Sequence, residues 1–390
     1  MKISRLRNII VSPAGAHTLV WVSATALYGL HLSHLLLYRA GNFYEIIGAI
    51  IMPFAIAQLI IATVKWNLPR KTASFKLEIS SASIKRAMTI WFFFSLIEIA
   101  VDKGVPIIWL LRGDAKTYFD FGIPSLHGFL NSIILGSSAA SWLLYLKTKN
   151  RKLLFTPILC AAWSVVTITR QMLVIEIIEI GALTILANKI TLRTTIKIVS
   201  GFILLIVIFG VIGNLRSGAN AFTKLAEPTT EWPHWLPSGF LWVYIYVTTP
   251  LNNLFNTSSI GSNSCQLGFP ATLSIAFPSV VRNLLYGKVA VSGWTGALVT
   301  RAFNVSTAYV GPYQDCGILG VIVFSFYFGL FSSWFYKRRD DFGILSYCVI
   351  IENIISSIFF DHFLYLPVVF QIFVFKYLAG ARKTVSSPAE

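Results

Sequence analysis

Long apolar runs alternate along this chain with short polar segments, and this alternation predicts its architecture. Each run holds about 16 to 25 residues, close to the length that an α-helix needs to cross the hydrocarbon core of a bilayer. The runs are Thr18–Tyr38, Phe43–Trp66, Ala87–Leu111, Ile123–Leu146, Leu153–Thr169, Gln171–Ala187, Ile198–Gly213, Gly317–Tyr336, Phe342–Phe360 and Phe363–Ala379. They predict an all-α polytopic membrane protein with about ten transmembrane helices.

The basic residues fix the predicted orientation. The chain has a net charge of +16, yet only 12% of its residues are charged and 55% are hydrophobic. With the N-terminus inside, 21 of the 32 Lys and Arg residues fall in inner loops and in the C-terminal tail. This is the distribution that cytoplasmic loops of membrane proteins show. Both termini are therefore predicted to be cytoplasmic, and the positive charge does not indicate nucleic-acid binding.

The polar segments divide the chain into three predicted regions. Residues 1–213 form a seven-helix membrane region, residues 214–316 a large outer loop domain, and residues 317–390 a three-helix region with a cytoplasmic tail. The first run follows a basic start but lacks an A-x-A cleavage site, so we expect it to stay as an anchor. Within the loop, Gly239–Phe255 is apolar and interrupted by Pro250. We interpret it as an interfacial helix, with a transmembrane helix as the alternative.

The cysteines give limited information. Cys160 and Cys348 fall within apolar runs and are expected to be small core residues. Cys265 and Cys316 both lie in the outer loop, where an oxidising compartment would permit a disulfide. The sequence leaves that pairing open, since it does not give their separation. No metal-ligand spacing, P-loop or GxSxG motif is present in the sequence, so no metal or cofactor is expected.

Arginines at the outer ends of the predicted helices are the first candidates for chemistry. Arg170 alone separates two runs, and Arg216 ends the seventh. A guanidinium binds phosphate or pyrophosphate through two parallel hydrogen bonds and keeps its proton. The alternative is that these side chains only anchor the helices to lipid headgroups. The full candidate set for pyrophosphate binding is Arg112, Arg170, Arg216, Arg282 and Arg301.

Carboxylates inside the apolar runs need an explanation, because a charge within a membrane is costly. The four are Glu98, Glu176, Glu179 and Glu352. One interpretation makes them partners that orient the outer arginines. The other makes them a path for protons or ions through a transporter.

The segment NVSTAYVGPYQDCG, Asn304 to Gly317, supplies further candidates. Asp315 stands just before the eighth run, where it could cap the helix or act as a base. Tyr309 and Tyr313 could stack on a sugar ring or hydrogen-bond to it. Three histidines are alternative bases or structural residues: His127, His234 and His362.

Four motifs in this chain resemble those of one protein family. They are GIPSLHG at the fourth run, T-x-TR at the sixth, GNLR at the end of the seventh, and N-x-ST-x-Y-x-x-x-Y-x-DCG-x-x-G at the eighth. With the ten runs and the large outer loop in the second half, they resemble the bacterial O-antigen polymerases, the Wzy or oligosaccharide repeat-unit polymerase family.

The resemblance implies a metal-independent membrane glycosyltransferase of the GT-C type in the bacterial inner membrane. Its substrates would be oligosaccharide repeat units on undecaprenyl pyrophosphate, joined on the periplasmic face with release of that carrier. The arginines would hold pyrophosphate, Tyr309 and Tyr313 would bind sugar, and the catalytic candidates are Asp315, His127 and His362. Expected partners are membrane lipid, a Wzz-type chain-length regulator and a Wzx-type flippase. An O-antigen ligase and a lipid-linked oligosaccharide flippase are the alternatives.

Overall fold

The computed structural model describes residues 11–37, 41–63, 79–187, 221–233, 235–261, 265–287, 294–338 and 340–380, with isolated positions between 200 and 210. Throughout these residues the regular structure is helical, and the one β-type contact is an isolated bridge between Ser33 and Pro228. A helix overlaps every predicted apolar run except Ile198–Gly213, which lies largely outside the described residues. The all-helical class predicted from the sequence is confirmed.

The helices have the following bounds. In the first half they are α1 Pro13–Gly29, α2 Phe43–Thr63, α3 Ser81–Asp102, α4 Pro106–Arg112, α5 Leu126–Thr148, α6 Phe155–Val166 and α7 Arg170–Ala187. In the second half they are α8 Ala221–Ala226, α9 Ser238–Ile260, α10 Pro270–Leu273, α11 Ser279–Tyr286, α12 Val310–Lys337, α13 Asp341–Ser356, α14 Leu366–Val369 and α15 Gln371–Ala379.

Three of the described helices, α2, α5 and α12, are long and apolar enough to cross a membrane. α2 and α12 pack closely and in parallel. Ser325 donates a hydrogen bond to the carbonyl of Ile50, and Lys337 donates one to the carbonyl of Ile61. The packing is tight because Gly329 lies against the backbone of Phe54, and a small residue lets two helices approach.

Other helix pairs are also parallel, as the predicted alternation requires. α1 and α13 run together, with Tyr347 donating to the carbonyl of Val11 and Trp21 donating to Ser357. α5 and α15 run together as well, since residues 128 and 136 of α5 contact residues 366 and 374. The predicted outer ends therefore share one end of the molecule, called here the outer end. Lys147 and Asp341 form an ion pair at the opposite, inner end.

Two predicted helix boundaries are wrong, because local capping chemistry outweighs the apolar pattern. α1 begins at Pro13, five residues before the first apolar run, with Ser12 as its N-cap accepting from the amide of Gly15. The first amides of a helix lack partners within it, so a serine cap that accepts from one of them and a proline that has no N–H both favour a helix start here. The third run is divided between α3 and α4 at Lys103, which adopts a left-handed conformation.

α9 is longer than the helix expected at Gly239–Phe255. It continues through Pro250 to Ile260, and 14 of its 23 residues are buried. The polar residues beyond the proline bond to neighbouring backbone: Asn252 donates to the carbonyl of Leu35, and Asn253 donates to that of Val305. These bonds hold the part of α9 that follows the proline.

α12 begins earlier than its apolar run because the chain reverses direction inside it. Cys316 and Gly317 have non-helical dihedral angles, and Gly317 has a positive φ of 58°. The ring of Tyr309 lies 5.5 Å from that of Phe324, although 15 residues of straight helix would separate them by about 22 Å. Residues 304–316, called here the hairpin segment, therefore fold back beside the main part of α12.

Candidate functional site

The outer end brings together the start of α5, the start of α7, helix α11 and the connection between α13 and α14. Gly128 near the start of α5 lies against Leu366 of α14. At the start of α7, the side chain of Gln171 contacts His362 in the α13–α14 connection, with 2.7 Å between the two nitrogens. Side chains that are far apart in the sequence thus meet at one level of the molecule.

The first candidate pair is Glu98 of α3 and His127 of α5. Glu98 is fully buried, and its Oε2 lies 3.1 Å from Nδ1 of His127. The other carboxylate oxygen accepts the amide of Ile123 at 3.0 Å. Gly122 is required here, because its φ is +100° and a Cβ would lie 2.5 Å from the His127 ring. The carboxylate and the loop therefore hold the imidazole in one orientation.

This arrangement suits general base catalysis. A carboxylate that accepts from Nδ1–H of a neutral imidazole leaves the lone pair of Nε2 free to take a proton. Nε2 has no hydrogen-bond partner among the described residues, and the His127 side chain is 23% exposed. A carboxylate that orients a histidine through Nδ1 is the arrangement found in catalytic triads.

Helix α11, which carries Arg282, contacts the loop just before His127. The hydroxyl of Ser125, two residues before His127, is 3.0 Å from that of Ser279 at the start of α11. One turn along α11, the guanidinium of Arg282 lies 4.7 Å from the centre of the Trp294 ring. Partial burial lowers the pKa of Arg282, and a guanidinium remains charged at neutral pH even so.

The second pair is Glu352 of α13 and His362. Nδ1 of His362 lies 2.6 Å from Oε1 of Glu352, and both side chains are almost fully buried. Gln171 donates to the other ring nitrogen through its amide group. Both nitrogens of His362 are thus engaged, in contrast to those of His127. Arg170, the neighbour of Gln171, is exposed at the start of α7.

The remaining carboxylates of the apolar runs also contact neutral groups. Glu176 accepts from the hydroxyl of Ser138 at 2.6 Å, and Glu179 accepts from the amide of Gln371 at 2.8 Å. The interpretation that all four carboxylates orient arginines is therefore wrong for the contacts that the described residues show. Their partners are histidine, serine and glutamine side chains.

Asp315 holds the hairpin segment to the loop that precedes it. The main part of α12 begins just after Asp315, but the Asp315 carboxylate bonds to the preceding loop rather than to the first amides of that helix. This fully buried carboxylate accepts from the amides of Ala271 and Thr272, at 3.0 and 2.7 Å, and from the Thr272 hydroxyl.

The adjacent residues strengthen this connection. Cys316 forms a disulfide with Cys265, and the amide of Gln266 donates to the carbonyl of Asp315 at 2.7 Å. The disulfide that the sequence left open is therefore present, and it fits an oxidising compartment outside the cytoplasm. Asp315 and Cys316 together fix the start of the main part of α12.

Both candidate sugar-binding tyrosines lie in the protein interior. The hydroxyl of Tyr309 is 2.9 Å from Nε2 of His17, and Tyr313 donates to the carbonyl of Ser258. Their rings are buried, so in this arrangement neither presents a face for a sugar. Of the other candidates, Arg112 and Arg301 are exposed. Arg216 and His234 lie outside the described residues.

Asp361 is a further ionisable residue that the sequence analysis passed over. It lines a narrow cleft with Trp294, Phe360 and Thr307, and the cleft has room for about one water molecule. Burial raises the pKa of Asp361 to about 7, although the amide of Leu364 and the nearby His362 oppose this. Its position in DH between two phenylalanines, FFDHF, is the signal that could have identified it.

Comparison with protein-family models, curated proteins and solved structures finds no match to this chain.

Proposed function

We propose that this chain is a GT-C-type membrane glycosyltransferase of about ten spans that joins lipid-linked oligosaccharide repeat units. It acts on the periplasmic face of the bacterial inner membrane, with both termini in the cytoplasm, and releases undecaprenyl pyrophosphate. The observation that supports this most is the Glu98–His127 pair, which presents a ring nitrogen at the outer end beside the arginine-bearing helix α11.

In the proposed reaction His127 is the base. Its Nε2 takes the proton of a sugar hydroxyl on the acceptor repeat unit, and Glu98 stabilises the resulting imidazolium. The hydroxyl oxygen forms a bond to the anomeric carbon of the donor glycan. The bond from that carbon to the pyrophosphate breaks, and undecaprenyl pyrophosphate leaves with the electron pair.

Arg282 and Arg170 serve the leaving group. Negative charge develops on the pyrophosphate as its bond to the sugar breaks, and cations fixed nearby lower the energy of that transition state. Both arginines lie at the outer end: one follows Ser279 on α11, and the other begins α7. Membrane lipid, a Wzz-type chain-length regulator and a Wzx-type flippase are the proposed partners.

A deletion strain tests this function directly. Loss of a polymerase leaves lipopolysaccharide core with a single repeat unit, whereas loss of a ligase or flippase leaves core with no repeat. We expect the single-repeat product, restored to a full ladder by the wild-type gene. Core without any repeat would contradict the proposal and favour one of the two alternatives.

A further inference from the structure

The helix α11 is amphipathic, but its apolar side faces outward, whereas an ordinary helix at a protein surface turns its apolar side inward. At 100° per residue its apolar side chains fall on one side and its polar ones on the other. The apolar side is formed by Val280, Val281, Leu284 and Leu285. The polar side is formed by Ser279, Arg282, Asn283 and Tyr286.

The polar side of α11 contacts the protein. Ser279 lies 3.0 Å from Ser125, Arg282 stacks over Trp294, and Tyr286 donates to the carbonyl of Gly268 at 3.3 Å. These three contacts are spread along the whole helix. They fix which side of α11 faces inward.

The apolar side faces away from the protein. Val280 is 69% exposed and Leu284 is 85% exposed, and no residue of α11 is buried. A helix that meets water at a protein surface buries its apolar side and exposes its polar one. The outward orientation of the apolar side of α11 is therefore explained if an apolar environment surrounds it. Contact with water would not explain this orientation.

The level of α11 indicates what this environment is. Its first residue bonds to Ser125, which immediately precedes α5, one of the three helices that are long and apolar enough to cross a membrane. The point where α5 enters the bilayer is therefore also the level of α11. Leu267 and Phe269, which flank the Gly268 carbonyl that binds Tyr286, are exposed and continue the apolar surface.

We propose that α11 lies flat in the outer membrane–water interface, with its apolar side in the lipid. The occupant of this surface is the outer leaflet of the bilayer. Short amphipathic helices bind membranes in this way, with the apolar side inserted at the level of the headgroups. The proposal requires only that the chain spans a membrane, and it stands whether or not the protein transfers sugars.

Lipid-borne quenchers test the proposal. Cysteine is introduced as Leu284→Cys or, as the matched control, Asn283→Cys, in a chain carrying Cys160→Ala and Cys348→Ala and an intact disulfide. Each protein is labelled with an environment-sensitive fluorophore and placed in phosphatidylglycerol and phosphatidylethanolamine nanodiscs. Some of the lipids carry a nitroxide near the headgroup.

We expect the label at residue 284 to be quenched severalfold more by the nitroxide lipid than the label at residue 283. Iodide in the water should show the reverse order. Val280→Cys, on the same side of α11, should repeat the result at residue 284 and replaces that variant if it does not fold. Equal quenching by lipid at 283 and at both apolar positions, or strong iodide quenching at 284 and 280, would overturn the proposal.

Discussion

Glu98–His127 and Glu352–His362 are the same chemical pair at the same end of the molecule, but they differ in what surrounds the second ring nitrogen. In both pairs a buried carboxylate binds Nδ1 of the histidine. Nε2 of His362 receives a hydrogen bond from Gln171 and the ring is buried, whereas the His127 side chain is partly exposed. The motif alone therefore does not define a base, because a base also needs an accessible nitrogen.

The two pairs also differ in what they connect. The amide of Ile123 binds Glu98 close to the turn that carries His127, so the first pair organises the loop between α4 and α5. The second pair links α13 to α7 through Gln171. Breaking a buried, fully bonded pair leaves an uncompensated polar group and destabilises the fold. The proposed reaction therefore uses the first pair, and we expect the second to stabilise the fold.

An arginine accompanies each pair, and this similarity is as informative as the difference. Arg282 lies on the helix that bonds to Ser125 near His127, and Arg170 precedes the glutamine that binds His362. If the proposed reaction is correct, the structural pair contributes to it by fixing the start of α7.

The largest effect is expected from replacing the two histidines. His127→Gln should reduce chain extension by about 10² to 10⁴-fold at unchanged protein level, because general base catalysis contributes about that much. His362→Gln should lower the amount of folded protein and leave the activity per folded molecule within a few fold of wild type. Ladder length and protein level are measured in the same membranes. Full ladders from His127→Gln would exclude it as the base.

Replacing each arginine by lysine tests whether both pairs lie at one site. Arg282→Lys and Arg170→Lys should each reduce chain extension about a hundredfold, or about 3 kcal/mol, because lysine keeps the charge but not the paired hydrogen bonds. Arg86→Lys, on an exposed arginine of α3 near the inner end, is the control and should be silent. A normal ladder from either outer variant would mean that its arginine only anchors the protein.

The carboxylates should separate activity from stability. Glu98→Gln should lower the rate with little change in stability, since an amide can donate to Nδ1 and so favour the wrong tautomer of His127. Glu352→Leu should cost about 1 to 3 kcal/mol of stability, because Oε1 of Glu352 accepts from both Ser356 and His362 and the variant removes this buried acceptor. Thermal unfolding and ladder length distinguish the two outcomes. If the Glu98 variant instead loses stability and the Glu352 variant loses only activity, the second pair is the catalytic one and the first is structural.

The sequence predicts the helices well because membrane helices depend mainly on local composition. Long apolar runs identify α2, α5 and α12 without any knowledge of packing. Boundaries depend on shorter signals, such as the serine and proline that start α1. The last turn of α9, beyond Phe255, could not be predicted as helix, because residues there bond to distant parts of the chain, as Asn256 does to the carbonyl of Ala297.

The site is less predictable, for the same physical reason. Glu98 and His127 are each visible as unusual residues, but their contact depends on how far α3 and α5 extend toward the outer end. The partner of Asp315 lies 43 residues before it, across the disulfide-closed loop. Neither contact follows from any spacing in the chain. Partners of this kind become known only when the helices have been placed beside one another.

The smallest effect concerns the proton balance beside the structural pair. Burial raises the pKa of Asp361 from its ordinary value of 3.8 to about 7, so between these values the folded protein holds a proton that the unfolded chain releases. Stability from this group is present at acidic pH and decreases as the pH rises toward 7.

Asp361→Asn should remove this decrease, because asparagine does not ionise. The thermal midpoint of the variant in nanodiscs should therefore change less between pH 5 and pH 8 than that of the wild-type protein. Asp114→Asn, at an exposed position of the same outer end, is the control and should keep the wild-type dependence. If Asp361→Asn also keeps it, Asp361 is ionised throughout this range. The charge beside His362 would then be constant, and the second pair would differ from the first in accessibility alone.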